Sequence, residues 1–417
     1  MKRFQSFTFI LTLTSLASLS QTVYADPENS ISVKGQFRLR EEGNNKTDLI
    51  NDRDFGILRV RPVIDFKRDE TINVVFTPQF TRILGESTYT IPSNTGVNTK
   101  TGTSGGTTDP NFGVHEAYAD YHPNSLFAFR GGRMVLSYGD EWLIGGLDWN
   151  NVGRSFDGLK ARFTYEIGTT DFFMMKITEN NTLGAGPGDT NFYGIYNSFS
   201  FGNFFKSVDL YFLDQDNGAS GSPSELGALG LRIASRYKSF DYKIEYTKEM
   251  GSYFLTPSTD AGSAYQQRAE LGYSVDSSLK PRVAAEYFAA GKSYNQLYPT
   301  SHGWLGIADV LQRRNLTGFD LAASTQITDG LSARVKYYVF SRVDSSASVY
   351  KYGGATMGTL SSSNSVGSEW DLNISFQVSK DLLFSGGGAL FNSGNYIKDQ
   401  LGSINPTFYY AQMEVKL

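Results

Sequence analysis

No cysteine occurs in the 417 residues. That absence excludes disulfides, thiolate metal sites and a cysteine nucleophile. It also excludes a lipoprotein leader. Histidine is nearly missing too, with only His115, His122 and His302. A serine–histidine hydrolase therefore has little to work with. His115 is the one histidine in a strand-like segment and has no clear serine partner. Ser137 and Ser155 have no base near them in the sequence. Beyond the leader, no apolar run approaches the ~20 residues that a membrane helix requires. A basic surplus is missing as well. After Ala25 there are 36 basic and 42 acidic residues, a net charge of −6. This argues against nucleic acid as a partner. No linker divides the chain.

The first 25 residues, MKRFQSFTFILTLTSLASLSQTVYA, have a basic start, an apolar run and small residues near Ala25. They are expected to be a secretory signal peptide, leaving residues 26–417 as one domain. That part holds most of the 43 glycines in a chain that is 14% aromatic. Its dominant pattern has period 2, the signature of strands. Phe240, Tyr242, Ile244 and Tyr246 alternate with Asp241, Lys243, Glu245 and Thr247. The first strand sets Ile31, Val33, Phe37 and Leu39 against Lys34, Gln36, Arg38 and Arg40. Alternation persists for ~9–11 residues, the length of a tilted membrane strand, whereas strands of soluble proteins usually have ~5–6.

Eighteen such segments are expected, near 31–41, 56–67, 71–82, 112–121, 126–135, 156–166, 170–179, 190–201, 205–214, 225–237, 239–249, 264–274, 280–290, 314–326, 331–342, 366–378, 381–391 and 407–417. One hairpin fewer or more gives sixteen or twenty. Short connectors alternate with long ones, as short periplasmic turns alternate with long extracellular loops in outer-membrane barrels. The expected fold is all-β: a single antiparallel transmembrane β-barrel in the Gram-negative outer membrane. A barrel of this size encloses an aqueous channel.

Polar residues of the strands then face the channel. Lys34, Arg38, Arg40, Arg59, Arg61, Arg82, Arg130, Arg133, Lys160 and Arg162 come from the early strands. Few acids accompany the first of them, so they are expected to form a positive path for anions, because guanidinium groups bind carboxylates in a bidentate manner. The alternative is that they pair across the ladder and hold the barrel. A later set, including Arg268 with Glu270 and Arg282 with Glu286, reads as a mixed, self-neutralising wall.

The densest stretch is Gly131–Phe163, GGRMVLSYGDEWLIGGLDWNNVGRSFDGLKARF. Its connector, Leu136–Ser155, is expected to fold inward as a constriction loop, with Tyr138, Asp140, Trp142, Asp148, Trp149, Asn151 and Asp157 as its working residues. Glu141 and Asp148 permit a paired-carboxylate glycosidase to be written, but any acidic loop permits that. A structural calcium held by Asp140, Glu141 and Asp148 is the alternative cofactor reading. Their spacing fits no standard calcium loop, and otherwise no metal or cofactor is expected.

Within that stretch stand Gly132-Arg133, Tyr138-Gly139-Asp140, Leu143-Ile144-Gly145, Asp148-Trp149, Asn151, Gly153-Arg154 and Phe156-Asp157-Gly158. Before it come Gly35-Gln36-Phe37-Arg38-Leu39-Arg40, Leu58-Arg59-Val60-Arg61-Pro62 and Glu116-Ala117-Tyr118. Together they resemble the alginate-export family, best in the N-terminal third. The resemblance implies an eighteen-stranded barrel with an arginine-rich pore for an anionic polyuronate. By position, Arg38, Arg40, Arg59, Arg61, Arg133 and Arg154 would line the path. Asp140, Asp148 and Asp157 would hold the loop or contact those arginines. Two departures stand out: Trp142 occupies a place where a basic residue is expected, and no periplasmic connector is long enough to plug the pore.

The functional expectation is a non-enzymatic channel for small anions or an anionic polysaccharide such as an alginate-like polyuronate. The alternative is a general or small-solute porin with a structural constriction loop. A third class, a surface adhesin, would use Ile83–Asn111 and Ala290–Arg313. Outer-membrane lipid and lipopolysaccharide are the expected surroundings, and the sequence leaves a periplasmic export partner open.

Overall fold

The structure is a computed structural model that describes residues 29–84, 111–179, 188–202, 204–218, 224–250, 264–359 and 361–417, and the backbone of Val23–Tyr24, Tyr89–Thr90 and Thr101–Gly102. Eighteen long strands follow the sequence period. They are β1 Asn29–Asn45, β2 Asp52–Arg68, β3 Ile72–Ile83, β4 Asn111–Tyr121, β5 Phe127–Met134, β6 Phe156–Tyr165, β7 Gly168–Thr178, β8 Thr190–Phe199 and β9 Ser207–Asn217. The second half comprises β10 Ser224–Tyr237, β11 Phe240–Met250, β12 Tyr265–Ser274, β13 Arg282–Ala290, β14 Leu316–Gln326, β15 Leu331–Ser341, β16 Ser365–Gln377, β17 Leu382–Ser393 and β18 Thr407–Lys416. Each pairs antiparallel with its chain neighbours, and β18 returns to β1 with Arg38 opposite Glu414. Closure leaves no unpaired edge, the condition for a sheet to cross a bilayer.

Alternation assigns the two faces. Along β11, Phe240, Ile244 and Tyr246 are exposed on the outside, while Glu245, Thr247 and Glu249 are buried within. The outer set belongs in hydrocarbon, where a charge at mid-membrane costs about 2–4 kcal/mol. Turns such as Lys238–Ser239, between the register pair Tyr237 and Phe240, close one end. Long loops occupy the other end.

Two features differ from the sequence expectation. A seven-residue helix, α1 Asn395–Leu401, sits between β17 and β18, with Tyr396 and Ile397 buried. The segment between β13 and β14 turns into the barrel rather than outward. Tyr294, Ile307, Ala308, Val310 and Leu311 of that segment are all buried. It packs against the 135–155 connector in one apolar cluster with Trp142, Leu143 and Ile144. The core of the molecule thus lies in the lumen. Apolar side chains of the two segments gain there the burial that a solvated loop cannot provide. Of the two segments assigned to an adhesin surface, this one is internal, and 85–88, 91–100 and 103–110 of the other lie outside the described residues.

Candidate functional site

The strand register decides which charges reach the lumen. Arg38 and Arg59 are direct partners across β1–β2, and Arg40 and Arg61 share their face. All four are at most 9% exposed. Arg130 stands opposite Asp120 and Lys160, and Arg162 stands opposite Asp171. These also point inward. Arg130 bonds Asp120 at 2.7 and 2.8 Å and lies 3.8 Å from the Tyr118 ring. Arg162 bonds Asp171 at 2.6 and 2.7 Å, with the Lys160 ammonium 3.7 Å from the same carboxylate.

Arg133 and Asp157 are on the other face. They are partners between the inward-facing Met134–Phe156 and Gly132–Gly158 pairs, and their 2.6 Å ion pair is half exposed on the outside of the barrel. Arg130 and Arg133 are three positions apart, an odd number, so one regular strand cannot present both to the lumen. Arg82 is placed outside by the same rule, because its partner is Leu58, between inward Ile57 and Arg59.

The connector Val135–Ser155 crosses the lumen. Glu141 and Leu147 take left-handed φ values of 60° and 51°, and Gly139 takes 57°. A side chain at Gly139 would meet Arg232 at 2.9 Å. At one end, the Asp140 carboxylate accepts Arg232 at 2.8 Å, Lys243 at 3.1 Å and Arg268 at 3.2 Å, from β10, β11 and β12. At the other end, Asp148 accepts Arg61 at 2.8 Å and Arg59 at 2.9 Å. The carbonyls of Asp148, Trp149 and Asn150 accept further bonds from Arg38 at 2.7–3.0 Å. Arg59 adds bonds to the carbonyls of Asp148 and Asn150. Arg40 bonds the Trp149 carbonyl at 2.8 Å and lies 3.8 Å from its ring. Strands β1–β2 and β10–β12 are half a circumference apart in an eighteen-stranded ring. The loop is therefore held to opposite walls by two aspartates.

Between those ends, aromatic and cationic side chains fix the loop. Tyr138 stacks on Tyr196 at 4.3 Å, and its hydroxyl donates to Asp171 at 2.8 Å. Trp142, 1% exposed, sits between the guanidiniums of Arg313 at 3.9 Å and Arg268 at 4.4 Å. Each such contact contributes about 0.5–2 kcal/mol. Where a cation was expected, a ring instead receives cations from two other segments. The Asn151 amide oxygen is buried without a partner.

The β13–β14 segment completes the structure. Gly145 donates to Tyr298 at 2.9 Å and Tyr298 to Leu143 at 2.8 Å, a single parallel bridge, and Thr300 donates to Glu141 at 3.0 Å, so that the two loops meet in a short seam. Arg154 is buried against this seam and bonds the carbonyls of Gly145, Tyr298 and Pro299. It joins the loops rather than standing free in the channel. Trp149 stacks on His302 at 3.8 Å. The amides of Ile307 and Ala308 donate to Asp371 at 3.1 Å and Glu369 at 3.0 Å on β16. This gives the paired loops a third wall contact. Trp304, Ile307 and Leu311, apolar residues in a long connector, are the sequence signal that could have revealed it.

The charge states follow from this packing. Burial alone would raise the Asp148 carboxyl. The guanidiniums of Arg59, Arg61 and Arg38 outweigh burial and bring it down to about 2. Asp140 is likewise lowered, because Arg232, Lys243 and Arg268 outweigh its burial. Burial brings the Arg154 guanidinium down to about 10. Asp140, Asp148 and Glu141 have separate partners, Glu141 accepting the Ser137 hydroxyl at 2.5 Å. Among the described residues, no three acidic or histidine side chains gather as metal ligands. Ser155, which lacks a base in the sequence, has one in space: its Oγ is 3.2 Å from the His115 Nδ1. That hydroxyl also donates to the His115 carbonyl, which directs its proton away from the ring.

Comparisons with known proteins agree with this architecture. The profile of the family described as alginate export matches residues 29–410. No curated protein matches the chain in sequence. Among solved structures, OccAB4 of Acinetobacter baumannii is similar at a TM-score of 0.62 and 10% identity, over 96% of this chain and 100% of that one. The outer membrane protein opdK of Pseudomonas aeruginosa is similar at 0.60 and 12%, over 93% and 98%. OprD of Pseudomonas aeruginosa is similar at 0.59 and 10%, over 93% and 95%. At such identities the likeness concerns the fold alone.

Proposed function

The chain belongs to the alginate export family, and from that membership we propose that it is a non-enzymatic outer-membrane channel for anionic solutes, uronate oligomers and polymers among them. The observation that carries this reading is the cross-lumen loop seated on arginines. Four guanidiniums of β1 and β2 converge where the passage is narrowed, and the part-exposed cations Arg130, Lys160 and Arg162 stand on strands β5 and β6 at the base of the loop. A water-filled passage with low-dielectric walls focuses such a field on a passing anion. A second reading, a general small-solute porin, is favoured by the far wall. There Arg232, Arg268, Arg282 and Lys336 each have a carboxylate within 3.2 Å.

Planar-bilayer recording of the purified barrel separates the two. Anion selectivity and block by a uronic-acid oligomer are expected, with block lost in the Arg38→Ala/Arg59→Ala/Arg61→Ala variant. A conducting pore with neither selectivity nor block would reject the anionic path in favour of the general porin.

A further inference from the structure

We propose that the arginine pocket of β1 and β2 is a carboxylate-binding site that the chain fills with its own Asp148, so that an anionic sugar opens the constriction by displacing it. This inference rests on the anionic-channel reading and adds how the site is regulated. The segment Asp148–Asn150 behaves as a built-in ligand. One carboxylate oxygen and three successive carbonyls take eight of the pocket's guanidinium bonds, at 2.7–3.0 Å. A carboxylate flanked by further oxygen acceptors is also what a uronate unit presents.

Two observations indicate that this internal occupant is an incomplete match. The pocket keeps donors in reserve: the Nε groups of Arg38, Arg40 and Arg59, and Nη2 of Arg61, are buried without partners. Unmet buried donors are costly, and a better-fitting acceptor recovers that cost. Charge is also unbalanced. Among the described residues, only Asp148 and Glu42 lie within ion-pair distance of the four guanidiniums. The pocket is also reachable from one side. Arg38, Arg40 and Arg59 are at most 2% exposed, but the Asp148 side chain that covers them is 65% exposed. An incoming carboxylate can meet the guanidiniums by exchange at that face. Exchange frees the loop at one wall while Asp140 still holds it at the other, which makes opening a hinge-like event.

The test uses the full-length protein in planar bilayers, with a uronic-acid tetramer as probe and a neutral tetrasaccharide as control. Asp148→Asn keeps the shape of the side chain and removes the competing charge. Asp140→Asn frees the opposite end and leaves the pocket occupied. Tetramer affinity, read as the half-blocking concentration, is expected to improve about tenfold or more in Asp148→Asn, the scale of one charge-assisted hydrogen bond. It is expected to stay within about twofold in Asp140→Asn, whose pocket is unaltered, and the neutral sugar should block none of the proteins. Equal affinity in wild type and Asp148→Asn would overturn the displacement mechanism, and so would an equal gain in both variants, since loop release alone would then explain it. Absence of tetramer block in all three proteins would reject the anionic channel itself, a separate failure.

Discussion

The two walls that hold the cross-lumen loop are built differently. On the β9–β13 side, the wall largely supplies its own counter-charges: Arg232 has Asp209 at 2.9 Å, and Arg268 has Glu286 at 3.2 Å, before Asp140 arrives. On the β1–β2 side, Arg38, Arg59 and Arg61 have no wall carboxylate within ion-pair distance among the described residues, and the loop brings Asp148 to them. The far wall would remain near neutral with the loop withdrawn. The near wall would become strongly positive. A charged wall that depends on a movable segment for its balance is suited to selection, and one balanced internally is suited to holding shape.

Substitutions on the two walls should therefore have different consequences. The largest stability effect is expected at Arg268, 2% exposed beside the 4% exposed Glu286. Arg268→Ala leaves buried carboxylates unpaired and should cost about 3–5 kcal/mol, read by urea unfolding of the barrel in lipid vesicles, with little change in ion preference. Arg59→Ala should cost less, about 1.5–3 kcal/mol for its charge-assisted bonds, because Asp148 keeps Arg61 at 2.8 Å and its side chain is 65% exposed. Its larger effect should be on the reversal potential, with anion preference falling. If Arg268→Ala shifted selectivity more than Arg59→Ala, the contrast between the walls would fail.

A pH titration sharpens the same contrast. Asp148 ionises at about 2 rather than at its ordinary 3.8. A lowered value means that the folded state favours the charged form. The near-wall anchor is thus complete above the ordinary carboxylate range and is lost as pH falls through about 2. Conductance should be flat from neutral pH to about pH 4 and rise below that. A rise near neutral pH would assign the loop's hold to some other group. The smallest effect belongs to Arg133→Ala. This residue lies on the outer face in a half-exposed pair with Asp157, and its removal should change stability by no more than about 0.5 kcal/mol. It should leave the reversal potential alone, while Arg130→Ala, three residues earlier, should alter it.

The barrel was legible because period 2 survives in each strand: each of the eighteen expected segments overlaps an observed one. The inward face was legible only where parity was counted through. Arg38, Arg40, Arg59 and Arg61 lie at even spacings within their strands, whereas Arg133 sits at an odd spacing from Arg130. The loop's inward path had a cue in its carboxylates and aromatics. What those groups bind had none, since Asp140 meets residues of β10–β12 about 90–130 positions away. Nor could local pattern place Trp142 between Arg268 and Arg313, or Arg154 on the carbonyls of Tyr298 and Pro299. Such contacts are set by the closure of the ring, and a single segment does not contain that information.

Whether the near-wall arginines set the charge of the passage is read from the zero-current potential of the wild-type channel under a potassium chloride gradient. Anion preference is expected, growing when Asp148→Asn removes the loop's counter-charge. A cation preference in the wild type, or a potential unmoved by Asp148→Asn, would contradict it.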